Sequence, residues 1–191
     1  KRPLYNEREG IVTETGRQLS GETVYDGKIF RVERDRVRLP NGREATLEIV
    51  RHRGSVVLLP IPEPGRVILV RQYRYAVGEH LWELAAGSLE PGEDPAEGAA
   101  RECEEETGWV PADVELVGRF YPTPGYCDEL MNFYRLTGLA RRTEGTAAIP
   151  DDDEDLEVRS FTLEELRQMV RAGEIRDLKT AVGLGLLDRT L

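Results

Sequence analysis

Gly87-Ser-Leu-Glu-Pro-Gly-Glu93-Asp94-Pro95-Ala-Glu-Gly-Ala-Ala-Arg101-Glu102-Cys103-Glu104-Glu105-Glu106-Thr107-Gly108-Trp109 is a glycine-punctuated loop that runs into a helix. Asp94 is placed to cap the first turn, Pro95 suits the first helical position, Glu97 completes an Asp-x-x-Glu capping box, and Gly108 ends the helix in a left-handed conformation. At about 100° per residue, Ala96, Ala99, Ala100 and Cys103 gather on one stripe while Glu102, Glu105 and Glu106 gather on another. Three carboxylates at i, i+3 and i+4 repel one another and cost stability unless a cation or an arginine neutralises them. A divalent cation is the expectation here, with Arg101 bracing Glu105 four residues on. Hard oxygen donors on a rigid helix suit Mg²⁺, with Mn²⁺ as a substitute, and such ions keep waters and bind substrate phosphates. A glutamate-rich helix is otherwise an ordinary solvated face, and the spacing around it separates the two readings.

On either side the chain reads as layered α/β. Val56-Val57-Leu58-Leu59 is a strand buried on both faces, a turn follows over 62–65, and Val67–Tyr73 is the next strand. Further strands are predicted at Leu81–Leu84, Val114–Phe120, Met131–Leu136 and Leu156–Phe161, and helices at about 95–107, 163–172 and 177–188. Ala140–Asp155 lacks apolar periodicity and reads as a surface loop. Before residue 53 the pattern alternates, with Asn41-Gly42 favouring a tight hairpin, so an antiparallel sheet is predicted at about 22–50. That sheet is too thin to bury a core alone and needs a second surface. Two domains are expected: residues 1–52, serving dimerisation and substrate contacts, and residues 53–191, holding the chemistry.

Bulk properties narrow the partners. With 191 residues, 39% of them apolar and 32% charged, the composition is that of a globular chain, which excludes disorder and collagen. A net charge of −10 lacks the basic field of a general polynucleotide binder, while small anions held through a metal stay open. No apolar run approaches the ~20 residues that cross a bilayer, and no leader is evident, so no membrane association and a cytoplasmic setting are expected. Two cysteines are too few for a disulfide framework, and no cysteine or histidine pattern suggests structural zinc. Cys103 faces the apolar stripe, Cys127 lies in a loop, and neither they nor His52 and His80 belong to a nucleophilic arrangement.

Written as a pattern, Gly87, five residues, Glu93, seven residues and Arg101-Glu-Cys-Glu-Glu-Glu-Thr-Gly-Trp109 resembles the signature of the Nudix hydrolases at each of its defining positions. The resemblance implies an α/β/α sandwich with a mixed sheet and a metal-dependent hydrolase of a nucleoside diphosphate linked to another group. It implies that Glu102 and Glu106 are metal ligands, Glu105 a further ligand or water-orienting carboxylate, Arg101 an organiser and Glu93 a supporting residue. Divalent ions would neutralise the diphosphate and acidify water for attack on phosphorus.

Tyr121-Pro-Thr-Pro-Gly-Tyr-Cys-Asp-Glu129, Arg71-Gln-Tyr-Arg74 and Trp82-Glu83-Leu84-Ala85-Ala86-Gly87 look like segments of the ADP-ribose pyrophosphatase branch. The likeness spans about residues 20–190 and implies a homodimer with an exchanged N-terminal sheet. It further implies a metal-binding carbonyl at Ala86 and substrate contacts from Arg74, Glu129, Arg51, Trp82 and Pro124. The acidic run 151–155 lacks the glycine and ligand spacing of a calcium loop. With Leu156-Glu157-Val158 it resembles instead the loop that swings over the metals, with Glu154 at a ligand position and Asp152 at the general-base position. Aspartate stands there for the usual glutamate, leaving Asp153 and Glu154 as alternative bases. Leu47-Glu48-Ile49-Val50-Arg51-His52 departs from the relatives' Arg-Glu before Val-x-His, which weakens the assignment of adenine recognition. The implied activity is hydrolysis of ADP-ribose to AMP and ribose 5-phosphate. Hydrolysis of other nucleoside diphosphate sugars is the first alternative, and a Nudix-like regulator that binds without cleaving is the second.

Overall fold

A computed structural model describes residues 15–142 and 156–187. Asp152, Asp153 and Glu154 lie outside the described residues. The chain divides into two compact units, residues 1–51 and 52–191.

The first unit is a sheet of β1 (Arg17–Asp26), β2 (Phe30–Arg38) and β3 (Glu44–His52), in that order, with β1 antiparallel to β2. The β2–β3 turn differs from a two-residue hairpin. Leu39 N–H donates to the Arg43 carbonyl and Gly42 N–H to the Leu39 carbonyl, each at 2.8 Å, and Gly42 has φ 81°. Pro40, with its fixed φ, takes the second turn position and leaves the left-handed position to Gly42, so the loop lengthens to three residues. Val24, Tyr25, Phe30 and Leu47 stay exposed on this sheet.

The second unit contains β4 (Ser55–Pro60), β5 (Arg66–Arg74), β6 (Glu79–Glu83), β7 (Ala86–Ser88), α1 (Pro95–Thr107), β8 (Trp109–Val110), β9 (Asp113–Phe120), β10 (Met131–Thr137), β11 (Ala140–Arg141), β12 (Glu157–Thr162), α2 (Leu163–Ala172) and α3 (Leu178–Leu187). Its main strands pair in the orders β7-β4-β10-β9 and β12-β5-β6. β4 and β10 run parallel and the other pairs antiparallel, so the sheet is mixed. Every residue of β4 is buried. Because strand side chains alternate, Val56 and Leu58 pack with Ala99 and Cys103 of α1, while Val57 and Leu59 pack with Leu166 of α2 and Leu184 of α3. The result is the expected α/β/α sandwich. No helix among the described residues is long and apolar enough to cross a membrane.

Ala140 and Arg141, read from the sequence as loop, instead form β11 against β8. The end of α1 sets this pairing: the Gly108 carbonyl accepts Arg142 N–H at 3.1 Å, and the Arg141 guanidinium lies 4.3 Å from the Trp109 ring centroid. At the start of α1, Asp94 accepts the N–H groups of Ala96 and Glu97 at 2.8 and 3.4 Å, without a reciprocal bond from Glu97. The full capping box lies instead on α2. Thr162 Oγ1 accepts Glu165 N–H at 3.2 Å, and Glu165 accepts Thr162 N–H at 2.7 Å.

The Thr162 N–H and the Thr162 hydroxyl, which donates to the same oxygen at 2.9 Å, hold the Glu165 carboxyl below the usual carboxylate range. Thr162→Ala is expected to lower the unfolding free energy by about 1 kcal/mol in urea titrations. Glu165→Ala should lower Tm at neutral pH. Its deficit should be full above the ordinary glutamate pKa and close as the pH falls through the lowered pKa of Glu165, where the wild type also loses its carboxylate.

Candidate active site

β7 brings the loop back alongside β4, pairing Ala86 with Val57 and Gly87 with Val56. Ala99 and Cys103, buried against Val56 and Leu58, fix the rotation of α1 and leave Glu102, Glu105 and Glu106 half-buried on its other stripe. Gly87 meets this helix closely. A Cβ at residue 87 would fall inside the space of the Glu102 carboxylate, so only glycine lets Glu102 lie against the strand that carries Ala86.

The Arg101 guanidinium organises the acidic stripe. Its Nη1 donates to Glu102 Oε1 and Glu105 Oε2, both at 2.8 Å, while Nε and Nη2 clamp the two oxygens of Glu93 at 2.9 and 3.1 Å. An arginine thus neutralises part of a charge that the sequence reading had given to a cation. Hydrogen bonding to Arg101 holds the Glu93 carboxyl below its usual range. Glu93, followed by Glu102, holds the Arg101 guanidinium well above its ordinary pKa. Burial pushes the Glu102 carboxyl up despite the Arg101 contact. Burial also raises the Cys103 thiol to about 11, which suits a packing residue and not a nucleophile.

The other predicted residues divide into groups. Arg74, at the end of β5, donates Nε to Glu83 Oε1 at 2.7 Å. Burial opposes its charge, but Glu83, and beyond it Glu106 and Asp177, hold its pKa above the ordinary value. Arg74 therefore belongs with the acidic helix. Trp82 does not: it pairs with Arg71 and meets Phe161 edge-on at 4.9 Å, within the cluster under α2 and α3. Glu83 pairs with Val70, which packs toward α1, so Trp82 and Arg74 occupy opposite faces of the β5–β6 pair. Glu129 Oε1 accepts the Ser55 hydroxyl at 2.7 Å, tying this loop to the start of β4, and Asp128 accepts His52 N–H at 2.8 Å just ahead of that strand. Pro124 is exposed on the same loop. In the other unit, Arg51 donates to Glu33 at 2.7 Å and to the buried Asp35 at 2.9 Å. Sequence reasoning missed Glu83 and Ser55 as partners; a lone glutamate in the apolar run 81–86 was the available signal for the first.

Among the described residues, no three histidine, cysteine or acidic side chains gather into a cage that could hold a metal ion. A hard divalent ion needs no such cage, since it is held by one or two carboxylates with waters and substrate phosphates. The donor set fits one: three carboxylates share a single guanidinium, Glu106 lies on the same stripe, Glu102 abuts the Ala86–Gly87 backbone, and all donors are oxygen.

A loop and helix that present carboxylates in this way form a candidate site for divalent metal and phosphate. Residues 50–180 match the NUDIX domain and residues 17–50 the nucleoside diphosphate sugar hydrolase N-terminal domain, and the chain belongs to the NUDIX family. It is 36% identical over 169 residues to the methanol dehydrogenase activator of Bacillus methanolicus, covering 88% of this chain and 90% of that one. Over the same length and coverage it is 35% identical to the ADP-ribose pyrophosphatase of Bacillus subtilis (strain 168). The crystal structure of an ADP compounds hydrolase shares the fold, with a TM-score of 0.77 and 22% identity over 95% of this chain and 97% of that one.

Gly87→Ala should weaken Mn²⁺ binding, read by electron paramagnetic resonance, by about tenfold or more, because the new methyl displaces Glu102. Far-UV circular dichroism should remain that of the wild type.

Proposed function

We propose that the protein hydrolyses the diphosphate bond of ADP-ribose to AMP and ribose 5-phosphate, with Mg²⁺ as the working ion and Mn²⁺ as a substitute. The observation that carries this reading is the carboxylate stripe organised by Arg101 and set against the Gly87 backbone. The Bacillus subtilis relative supports ADP-ribose as the substrate. Divalent ions, when bound, would supply charge neutralisation at the diphosphate and a more acidic water. Glu102, Glu106 and the Ala86 carbonyl would hold them, with Glu105 as a further ligand or water-orienting carboxylate.

The chain's own groups do the rest. Arg101 keeps Glu102 and Glu105 from splaying apart, and Arg74 meets the anionic substrate beside Glu106. Glu129 meets the ribose region from a loop anchored through Ser55. Asp152, Asp153 and Glu154 are the proposed proton acceptors, with Glu154 also a metal ligand. Arg51, held by Glu33 and Asp35, is the proposed contact from the N-terminal sheet. Trp82 is better explained as packing, since it lies against Phe161.

The match to the nucleoside diphosphate sugar hydrolase N-terminal domain favours other nucleoside diphosphate sugars as the second reading. Similarity to a protein named for activating methanol dehydrogenase favours a regulatory role as a third, against which the complete Arg101-centred array argues. We further propose a homodimer in which exchange of N-terminal sheets covers the exposed Val24, Tyr25, Phe30 and Leu47. A cytoplasmic setting suits its two free cysteines.

ADP-ribose incubated with Mg²⁺ should yield AMP and ribose 5-phosphate by chromatography, and Glu106→Gln should lower kcat by at least about a hundredfold. Wild-type turnover in that variant refutes the assignment, and kcat/KM across a nucleotide-sugar panel decides between ADP-ribose and its rivals. Light scattering should give twice the 21.6 kDa chain mass, and a monomer at micromolar concentration contradicts the exchanged sheet.

A further inference from the structure

Glu83 is 2% exposed and closes β6 between two cations. Arg74 Nε donates to its Oε1 at 2.7 Å, and Lys179 Nζ donates to its Oε2. The Lys179 side chain is 9% exposed and lies 3.2 Å from Asp177 Oδ2. Asp177 caps α3, accepting Thr180 N–H at 3.0 Å and the Thr180 hydroxyl at 2.5 Å, and Thr180 Oγ1 accepts Leu84 N–H at 2.8 Å. The first turn of α3 is thus joined to residues 83 and 84, just before the Ala86–Gly87 backbone of the site.

Docking α3 does not by itself call for this chain of charges, because Leu184 and Leu187 already pack it into the core. Buried ion pairs add little net stability against apolar replacements, and their better-attested return is a defined geometry. Arg74 is where that geometry has use: its side chain is 40% exposed and feels the charge of Glu106.

We infer that Lys179 is a positioning residue for Arg74. By engaging one oxygen of Glu83, Lys179 fixes the carboxylate so that the other oxygen holds the Arg74 Nε and sets the direction of its guanidinium. Without Lys179, both oxygens become available to Arg74. A guanidinium readily forms a two-pronged pair with a carboxylate, and such a pair turns Arg74 away from an incoming phosphate. This inference rests on the proposed role of Arg74 in binding the diphosphate substrate.

Lys179→Met should raise KM for ADP-ribose about tenfold and change kcat by less than about threefold, the split expected when a ground-state contact is misplaced. Calorimetric binding of ADP-ribose in EDTA should weaken in parallel, Lys179→Arg should restore both values, and Lys179→Met should add no further KM increase to Arg74→Ala. Should Lys179→Met fail to fold, Lys179→Leu, which likewise offers Glu83 no donor, should show the same KM increase. A purely structural lysine predicts a lower Tm with KM and Kd unchanged, and that result in a folded variant overturns the inference while wild-type turnover leaves the assigned reaction standing. Wild-type protein that neither binds nor cleaves ADP-ribose overturns the reading of the site and this inference with it.

Discussion

Crowded carboxylates are the constraint around which the site is built. Glu93, Glu102 and Glu105 meet at one guanidinium, and Glu106 lies on the same stripe of α1. Repulsion among such groups would loosen a free helix. It is contained here because Ala99 and Cys103 lock the opposite stripe into the core, while Arg101 fixes the acids at bonding distance. The remaining negative charge is what a hard cation would neutralise in the proposed reaction. Stability and function therefore rest on the same unbalanced charge: one arginine organises the array without cancelling it.

Closeness of approach is the second requirement, and β4 supplies it. A strand buried on both faces carries α1 on one side and α3 on the other, so both helices are referenced to one rigid element. β7 pairs with that strand, which puts the Ala86–Gly87 backbone in register with the helix. The missing side chain at Gly87 then converts register into contact with Glu102. Metal chemistry tolerates little error in donor placement. A strand and a helix packed on a common core meet that demand better than two loops.

Local features were legible in the sequence and long-range ones were not. The bounds of α1 followed from Asp94, Pro95 and Gly108, each of which acts within the one turn at its own end of the helix. The double burial of β4 followed from an unbroken Val-Val-Leu-Leu run. The expected return bond from Glu97 failed, and the capping box on α2 went unnoticed, because a motif fixes which groups can pair and leaves rotamers to choose which do. β11 was hidden because two residues carry no periodicity; its pairing depends on where α1 ends. Trp82 sits in a segment that resembles the ADP-ribose pyrophosphatase branch, yet the alternation of β6 turns it toward Phe161 and gives the α1-facing position to Glu83.

Lys179 shows why such residues escape a motif. It lies 96 positions from Glu83, on a helix whose apolar pattern accounts for its packing. Its significance comes from topology: α3 closes the sandwich on the side away from α1, and its first turn reaches the end of β6, where the chain turns toward β7. A charge at that junction is felt on both faces of the sheet, since Glu83 holds Lys179 with one oxygen and Arg74 with the other. The acidic helix and Arg74 are thus referenced to opposite layers of one sandwich, α1 for the carboxylates and α3 for Arg74. In the proposed mode of diphosphate binding both are needed at a fixed separation, so rigidity of the sheet between them becomes a functional property and not only a consequence of folding.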